Sequence, residues 1–210
     1  MKKLFRILIT ALLVAILAGA GVNPMPPAQA ASKTTEVSGR YYQSDARKMK
    51  KKINKFRKGK EAWYYTREGS KDKTYVKGLG KLKYDYELEK VAMERAAEIA
   101  VSFSHTRPNN ESCFSAYPAG YMAMGENIAM GTSSYMSCAE TFALWQETNE
   151  SYNGQGHRRN MLGEQFTCVG IACFEANGNK YWVQEFGSPC SSTGKTKAAN
   201  GEATVKIQIR

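Results

Sequence analysis

Histidine is nearly missing from this chain: two copies in 210 residues, against 30 Lys and Arg and 19 Asp and Glu. With the pair so far apart in sequence, no HExxH metal-binding helix exists. The Gly-x-Ser-x-Gly elbow of serine hydrolases is absent too, and Ser104 and Ser151 sit at ordinary polar positions. None of the five cysteines has the surroundings of a nucleophile. Cys168 and Cys173 lie in apolar, strand-like sequence, and Cys138 falls on the apolar side of a helical pattern. Acidic residues are in deficit, leaving a formal net charge of +11. Such charge favours solubility and attraction to polyanions and says little about fold. No nucleic-acid motif accompanies it, so no nucleic-acid partner is expected. Beyond residue 30 there is no apolar run of membrane-spanning length and no internal repeat.

The first residues have the pattern of an export signal. Lys2, Lys3 and Arg6 precede an apolar stretch at 7–17, and Ala28-Gln29-Ala30 forms a small-residue cleavage site. No cysteine lies near that site to take a lipid anchor. The expected localisation is secreted and extracellular. Export places Cys113, Cys138, Cys168, Cys173 and Cys190 in an oxidising compartment where disulfides form. Five is odd, so at least one stays free or bonds another chain, and sequence leaves the pairing open.

The expected organisation is a signal peptide at 1–30, a flexible polar leader at 31–44, one domain at 45–187 and a polar tail at 188–210. Ala203, Val205, Ile207 and Ile209 alternate with polar residues in that tail, as in an edge strand. Within the domain, Ser44-Asp45 offers a helix cap before Met49, Ile53 and Phe56, whose other faces carry many lysines. That lysine-rich surface is a solvated face or a contact for anionic cell-wall polymers. Asp85 caps the strongest helix, with an apolar stripe from Leu88 to Phe103 that also includes Arg95. Glu87, Glu89, Lys90, Glu94 and Glu98 are expected to face water, and Pro108 to end the helix. Residues 109–131 read as a loop-rich wall without regular period. Ser137 to Glu140 has capping-box spacing and opens a helix carrying Phe142 and Trp145. Residues 168–175 and 181–186 form a hairpin about Ala176-Asn177-Gly178-Asn179.

His105 and His157 sit in polar clusters unlike core sequence, with Gly125-Glu126-Asn127 between them. Two imidazoles and a carboxylate gathered by folding can hold a divalent cation such as zinc, with room for water or substrate. Structural alternatives exist for each, as helix-end or turn-fixing groups. Arg158 and Arg159 oppose a bound cation unless they point elsewhere.

Five ordered motifs carry a family resemblance: Phe103-Ser104-His105-Thr106-Arg107-Pro108, Gly125-Glu126-Asn127-Ile128-Ala129, Gly156-His157-Arg158-Arg159-Asn160-Met161-Leu162, Val169-Gly170-Ile171-Ala172 and Tyr181-Trp182-Val183-Gln184-Glu185-Phe186-Gly187, with Trp145 between the second and third. Through them the chain resembles the CAP superfamily, shared by cysteine-rich secretory proteins, antigen-five allergens and pathogenesis-related proteins, in its bacterial-type branch. The resemblance implies an α+β fold: a three-layer α-β-α sandwich with a central antiparallel sheet covered by helices on both faces, and a solvent-open cleft. It assigns His105, His157 and Glu126 to a cluster that binds divalent cations in some members. The family's second acid falls at Thr148, which makes neighbouring Glu147 the candidate fourth ligand. Two functions follow as expectations. One is a non-catalytic extracellular binding module for a lipid, sterol, polysaccharide or protein. The other is a metal-assisted hydrolase in which Glu126 or Glu147 activates water.

Overall fold

A computed structural model describes residues 9–11 and 33–210; the rest of the export-signal pattern and its cleavage site lie outside the described residues. The sheet is built around the expected hairpin. β7 (Cys168–Ala176) and β8 (Asn179–Ser188) are joined by Asn177-Gly178, with φ of 51° and 75°. Two consecutive residues at positive φ give a two-residue turn whose twist matches the flanking strands. β8 also pairs antiparallel with β6 (Ala123–Thr132) along its whole length, from Ala123↔Ser188 to Thr132↔Asn179.

β6 corrects the reading of 109–131 as a loop-rich wall. Gly125, Asn127 and Gly131 depress strand propensity locally, yet residues 124–129 are buried between two helical layers. Tertiary pairing overrides local preference here, as it commonly does for strands. On its other edge β6 pairs with β1 (Ile9–Ala11), Ile9 opposite Ala129 and Ala11 opposite Asn127.

Beyond β7 lie β2 (Lys33–Tyr42) and β9 (Asn200–Ile209), paired antiparallel over ten positions. Residues 33–42 are thus an ordered strand and not part of a flexible leader. Val37 and Tyr41 occupy alternate, inward positions and are buried against Ile207, an alternation that the polar intervening residues hide. Short β5 (Lys83–Tyr84) runs parallel to β7, while β3 (Trp63–Tyr65) and β4 (Lys73–Tyr75) form a separate ribbon.

Helix α2 (Tyr86–Val101) covers one face through Ala92, Ala96 and Ile99, which pack with Ile128, Ala172, Phe174 and Val183. Asp85 caps it, accepting from the Glu87 and Leu88 amides. Gly170 lets the helix approach: a Cβ there would lie 2.1 Å from the Leu88 backbone. The opposite face carries α1 (Gln43–Phe56), α3 (Cys138–Trp145) and α4 (Gly156–Leu162) over Ile171, Cys173, Trp182 and Phe186. The architecture is therefore the expected α-β-α sandwich. Covering on both faces explains why β7 reads as a continuous buried run.

Three helix details differ from expectation. α1 begins at Gln43 without a side-chain cap of its own; the Asn200 carboxamide, from β9, accepts from the Ser44 amide at 2.9 Å. α2 stops at Val101, well before Pro108, because Ser102 is already extended. Glu89 and Glu98 do not face water. Glu89 accepts from Gln43, Arg47 and Tyr84, and Glu98 from Arg95 and Arg107, so each buried carboxylate is paired. The capping box of α3 forms as its spacing predicts. No disulfide joins any of the five cysteines in this structure.

Candidate functional site

The site wraps around the outer edge of β6. Successive strand side chains point to opposite faces, so Glu126 looks toward α2 and Asn127 toward α4. Glu126 is fully buried and accepts from Arg95 Nε at 2.7 Å and from Arg95 Nη2 at 3.3 Å. His105, in the loop after α2, places Nδ1 2.7 Å from the same carboxylate. Burial opposes the charge on Glu126, but the bonds from His105 and Arg95 prevail and hold its carboxyl down at about 2. Arg95 also donates to Glu98 and to the Ser104 carbonyl, which fixes the loop presenting His105.

On the other side of the strand edge, α4 carries His157 in its first turn. Its Nδ1 meets the Glu147 carboxylate, which also accepts from the Arg158 amide at 3.1 Å. Glu147 stands two residues after Trp145 in left-handed conformation, φ 46°. An L-residue is held there only by surrounding structure. Here that structure is the pair of contacts from α4 together with Gln155, which donates to the Glu147 carbonyl. Asn127 and Asn160 tie the two halves together: Asn127 donates to the His157 carbonyl, and Asn160 donates to the Glu126 carbonyl and to Asn127 Oδ1.

Both arginines beside His157 point away. Arg158 donates to the carbonyls of Trp63, Gln146 and Glu61 and stacks on the Trp63 ring at 4.1 Å. Arg159 donates to the Tyr152 carbonyl and stacks on that ring. The electrostatic objection to a cation beside His157 is removed by this packing.

A carboxylate only accepts, so Nδ1 of each histidine is the donor to its acid, and His105 turns Nε2 away from Glu126. His105 Nε2 is buried without a partner among the described residues. This is the arrangement in which an acid orients a metal-binding imidazole. Among the described residues, His105, Glu126 and Cys113 bring ligand atoms within 4.8 Å of one another, whereas His157 and Glu147 form a separate pair. The implied solvent-open cleft is closed in this structure: the His105 and His157 side chains are 10% and 1% exposed. β1 runs along the β6 edge opposite residues 127–129 and lies against α4. A pocket of about 540 Å³, bounded by Tyr64, Tyr75, Tyr152 and Arg159, is lined by neither histidine.

The sequence profile of the cysteine-rich secretory protein family matches residues 50–186. The chain belongs to the CAP family. A curated CAP relative is an uncharacterized protein, YkwD, of Bacillus subtilis (strain 168), 30% identical over 114 residues. The match covers 52% of this chain and 40% of that protein's length. Two solved structures share the CAP fold. An outer surface protein from Borrelia burgdorferi superposes with a TM-score of 0.52 at 18% identity, covering 71% of this chain and 97% of its own. NaASP2, crystallised with Zn2+, gives 0.50 at 20%, covering 75% and 86%. At such identities the likeness concerns the fold alone.

Two site residues of this CAP chain escaped sequence reasoning. Arg95 was readable only as a charge on an apolar stripe. Glu185 lies directly across the β6–β8 ladder from Glu126, fully buried, accepting from the Tyr117 hydroxyl at 2.8 Å. Burial, then the Glu126 charge, pushes its carboxyl well above the usual range. The signal for it was the polar pair Gln184-Glu185 interrupting an apolar strand.

Proposed function

We propose that this CAP chain is an exported, non-catalytic binding module whose histidine site takes a divalent cation and an extracellular partner. The observation that carries it is the burial of both acids against internal donors. Glu126 is held by Arg95 and His105, and Glu147 by His157 and the Arg158 amide. Both carboxylates are buried and already engaged by internal donors, a poor position from which to activate water in a hydrolase. The His105–Glu126 bond directs His105 Nε2 away from its acid, as a group that would hold a cation. Bound there, a cation would supply a Lewis-acidic contact for a ligand oxygen. The zinc ion crystallised with NaASP2, a protein of the same fold, accords with this reading.

Extracellular location rests on the export pattern at residues 1–30. No helix among the described residues is long and apolar enough to cross a membrane. Removal of residues 1–30 would take β1 from the β6 edge and uncover residues 127–129. A bare strand edge favours a partner with an extended backbone, so of the ligand classes a protein segment fits best. The lysine face of α1 would add salt-sensitive retention on anionic wall polymers.

The test is native mass spectrometry of mature 31–210 and its His105→Ala/His157→Ala variant, titrated with zinc, beside a partner pull-down and a peptidase assay. A cation lost in the variant, with no peptide cleavage by either protein, supports the module. Cleavage by the mature chain that stops in the folded variant would establish the hydrolase instead.

A further inference from the structure

We propose that Cys168 and Cys190 are joined by an intramolecular disulfide in the exported protein. Their sulfurs lie within 4.8 Å of each other. Cys168 opens β7, opposite Gly187 of β8, and Cys190 follows three residues beyond Gly187 as the chain leaves β8. Cys168 Sγ lies 3.2 Å from the Gly187 carbonyl, and Cys190 Sγ 3.6 Å from Oγ1 of Thr167, the residue before Cys168. Both thiols therefore point into one small space.

The connector that carries Cys190 is held in place independently of the sulfurs. The capping carboxylate of α2, Asp85, accepts from the Ser191 amide at 2.6 Å and the Ser192 amide at 3.3 Å, and the Tyr86 amide donates to the Ser192 carbonyl at 2.8 Å. A cation is the competing occupant, because an Asp85 oxygen also lies within 4.8 Å of both sulfurs. Asp85 has no lone pair left for one. Its oxygens already accept from the Glu87 and Leu88 amides, the Tyr121 hydroxyl and the Ser191 and Ser192 amides. Two thiols alone make an incomplete zinc shell.

Accessibility sets the order of events. Cys190 is partly exposed and Cys168 fully buried. The Cys190 thiolate attacks an external disulfide, such as oxidised glutathione or an exported thiol oxidase, forming a mixed disulfide and releasing one thiol. Cys168 then loses its proton and displaces the second. Two S–H bonds become one S–S bond, and the oxidant leaves as two thiols carrying both electrons and both protons. Three other cysteines remain, in keeping with the odd total. The bond clamps the start of β7 to the connector that leads into β9.

The full chain, secreted through its own signal, is unfolded without reductant, alkylated, digested and mapped. The expected result is a linked peptide pair containing Cys168 and Cys190, two hydrogens lighter than the separate thiols. Reductant should lower the Tm by roughly 5–10 °C, the effect of opening a loop of about 20 residues. Cys190→Ser should show the lower Tm and no further fall with reductant. Complete alkylation of both cysteines, a link from Cys190 to another cysteine or chain, or zinc that copurifies and is lost in Cys190→Ser would each overturn the proposal. If Cys190→Ser does not fold, the peptide map of the wild type decides. Protein made in the cytosol and treated with oxidised glutathione is a separate arm. A bond that forms there but is missing after expression in the native host would support the cysteine geometry and count against the export reading.

Discussion

The two histidine–glutamate pairs look alike and are held by opposite means. Glu126 sits in regular strand backbone, and its charge is stabilised by Arg95, itself anchored on Glu98 and the Ser104 carbonyl. Among the described residues, the Glu147 carboxylate bonds no arginine or lysine side chain; strained backbone and a helix amide hold it beside His157. One half of the site is fixed by a buried ionic network and the other by a local conformation. The first is therefore sensitive to charge and pH, the second to backbone freedom.

The strongest way to break that contrast is Arg95→Met. It leaves buried Glu126 without its guanidinium and takes one of two from Glu98, and loss of about 3–5 kcal/mol of stability is expected, as for other broken buried ion pairs. Urea unfolding at neutral pH measures it, and a loss under about 1 kcal/mol would show that the network contributes little.

Acid comes next. The Glu126 carboxyl is depressed to about 2 from an ordinary 4.5. A depressed acid stabilises the fold above its unfolded pKa, and that contribution disappears as pH falls through the folded value. Metal-free protein should lose about 3 kcal/mol between pH 4.5 and 2 from this group. Glu185 acts with the reverse sign. Its raised pKa gives stability that is full below the ordinary carboxyl range and declines as pH rises through the folded value. Glu185→Gln, neutral at every pH, should flatten the decline that accompanies rising pH and leave the acid limb in place. A series of unfolding curves across pH separates the two.

His157→Ala should cost about 1–3 kcal/mol, because the buried Glu147 carboxylate loses a partner while keeping the Arg158 amide. The smallest effect is the sharpest for the comparison. Glu147→Gly should be more stable than Glu147→Ala by about 1 kcal/mol, since only glycine takes φ near 46° without strain. The corresponding pair at position 126 should show no glycine advantage. Equal stability of the two 147 variants would mean that the strained backbone plays no part in holding that acid.

Much of the fold was legible because its signals are local. The Asn-Gly turn of the β7–β8 hairpin, the Asp85 cap and the Ser137–Glu140 capping box are each set by neighbouring residues, and each appears as read. What was misread depends on distant partners. β6 is a strand because β8 lies along it, and residues 33–42 are ordered because β9 returns beside them. Glu89 and Glu98 look like surface acids until Arg47, Arg95 and Arg107 reach them in the fold.

Sequence alone determined which residues could take part in the site, since only two histidines exist and each lies in a recognisable motif. Tertiary structure decided their roles. It set Arg95 on Glu126, turned Arg158 and Arg159 away from His157, and paired Glu147 with His157. The physical reason is that a buried charge is governed by whichever partners the fold brings within hydrogen-bonding distance, and most of those partners are distant along the chain.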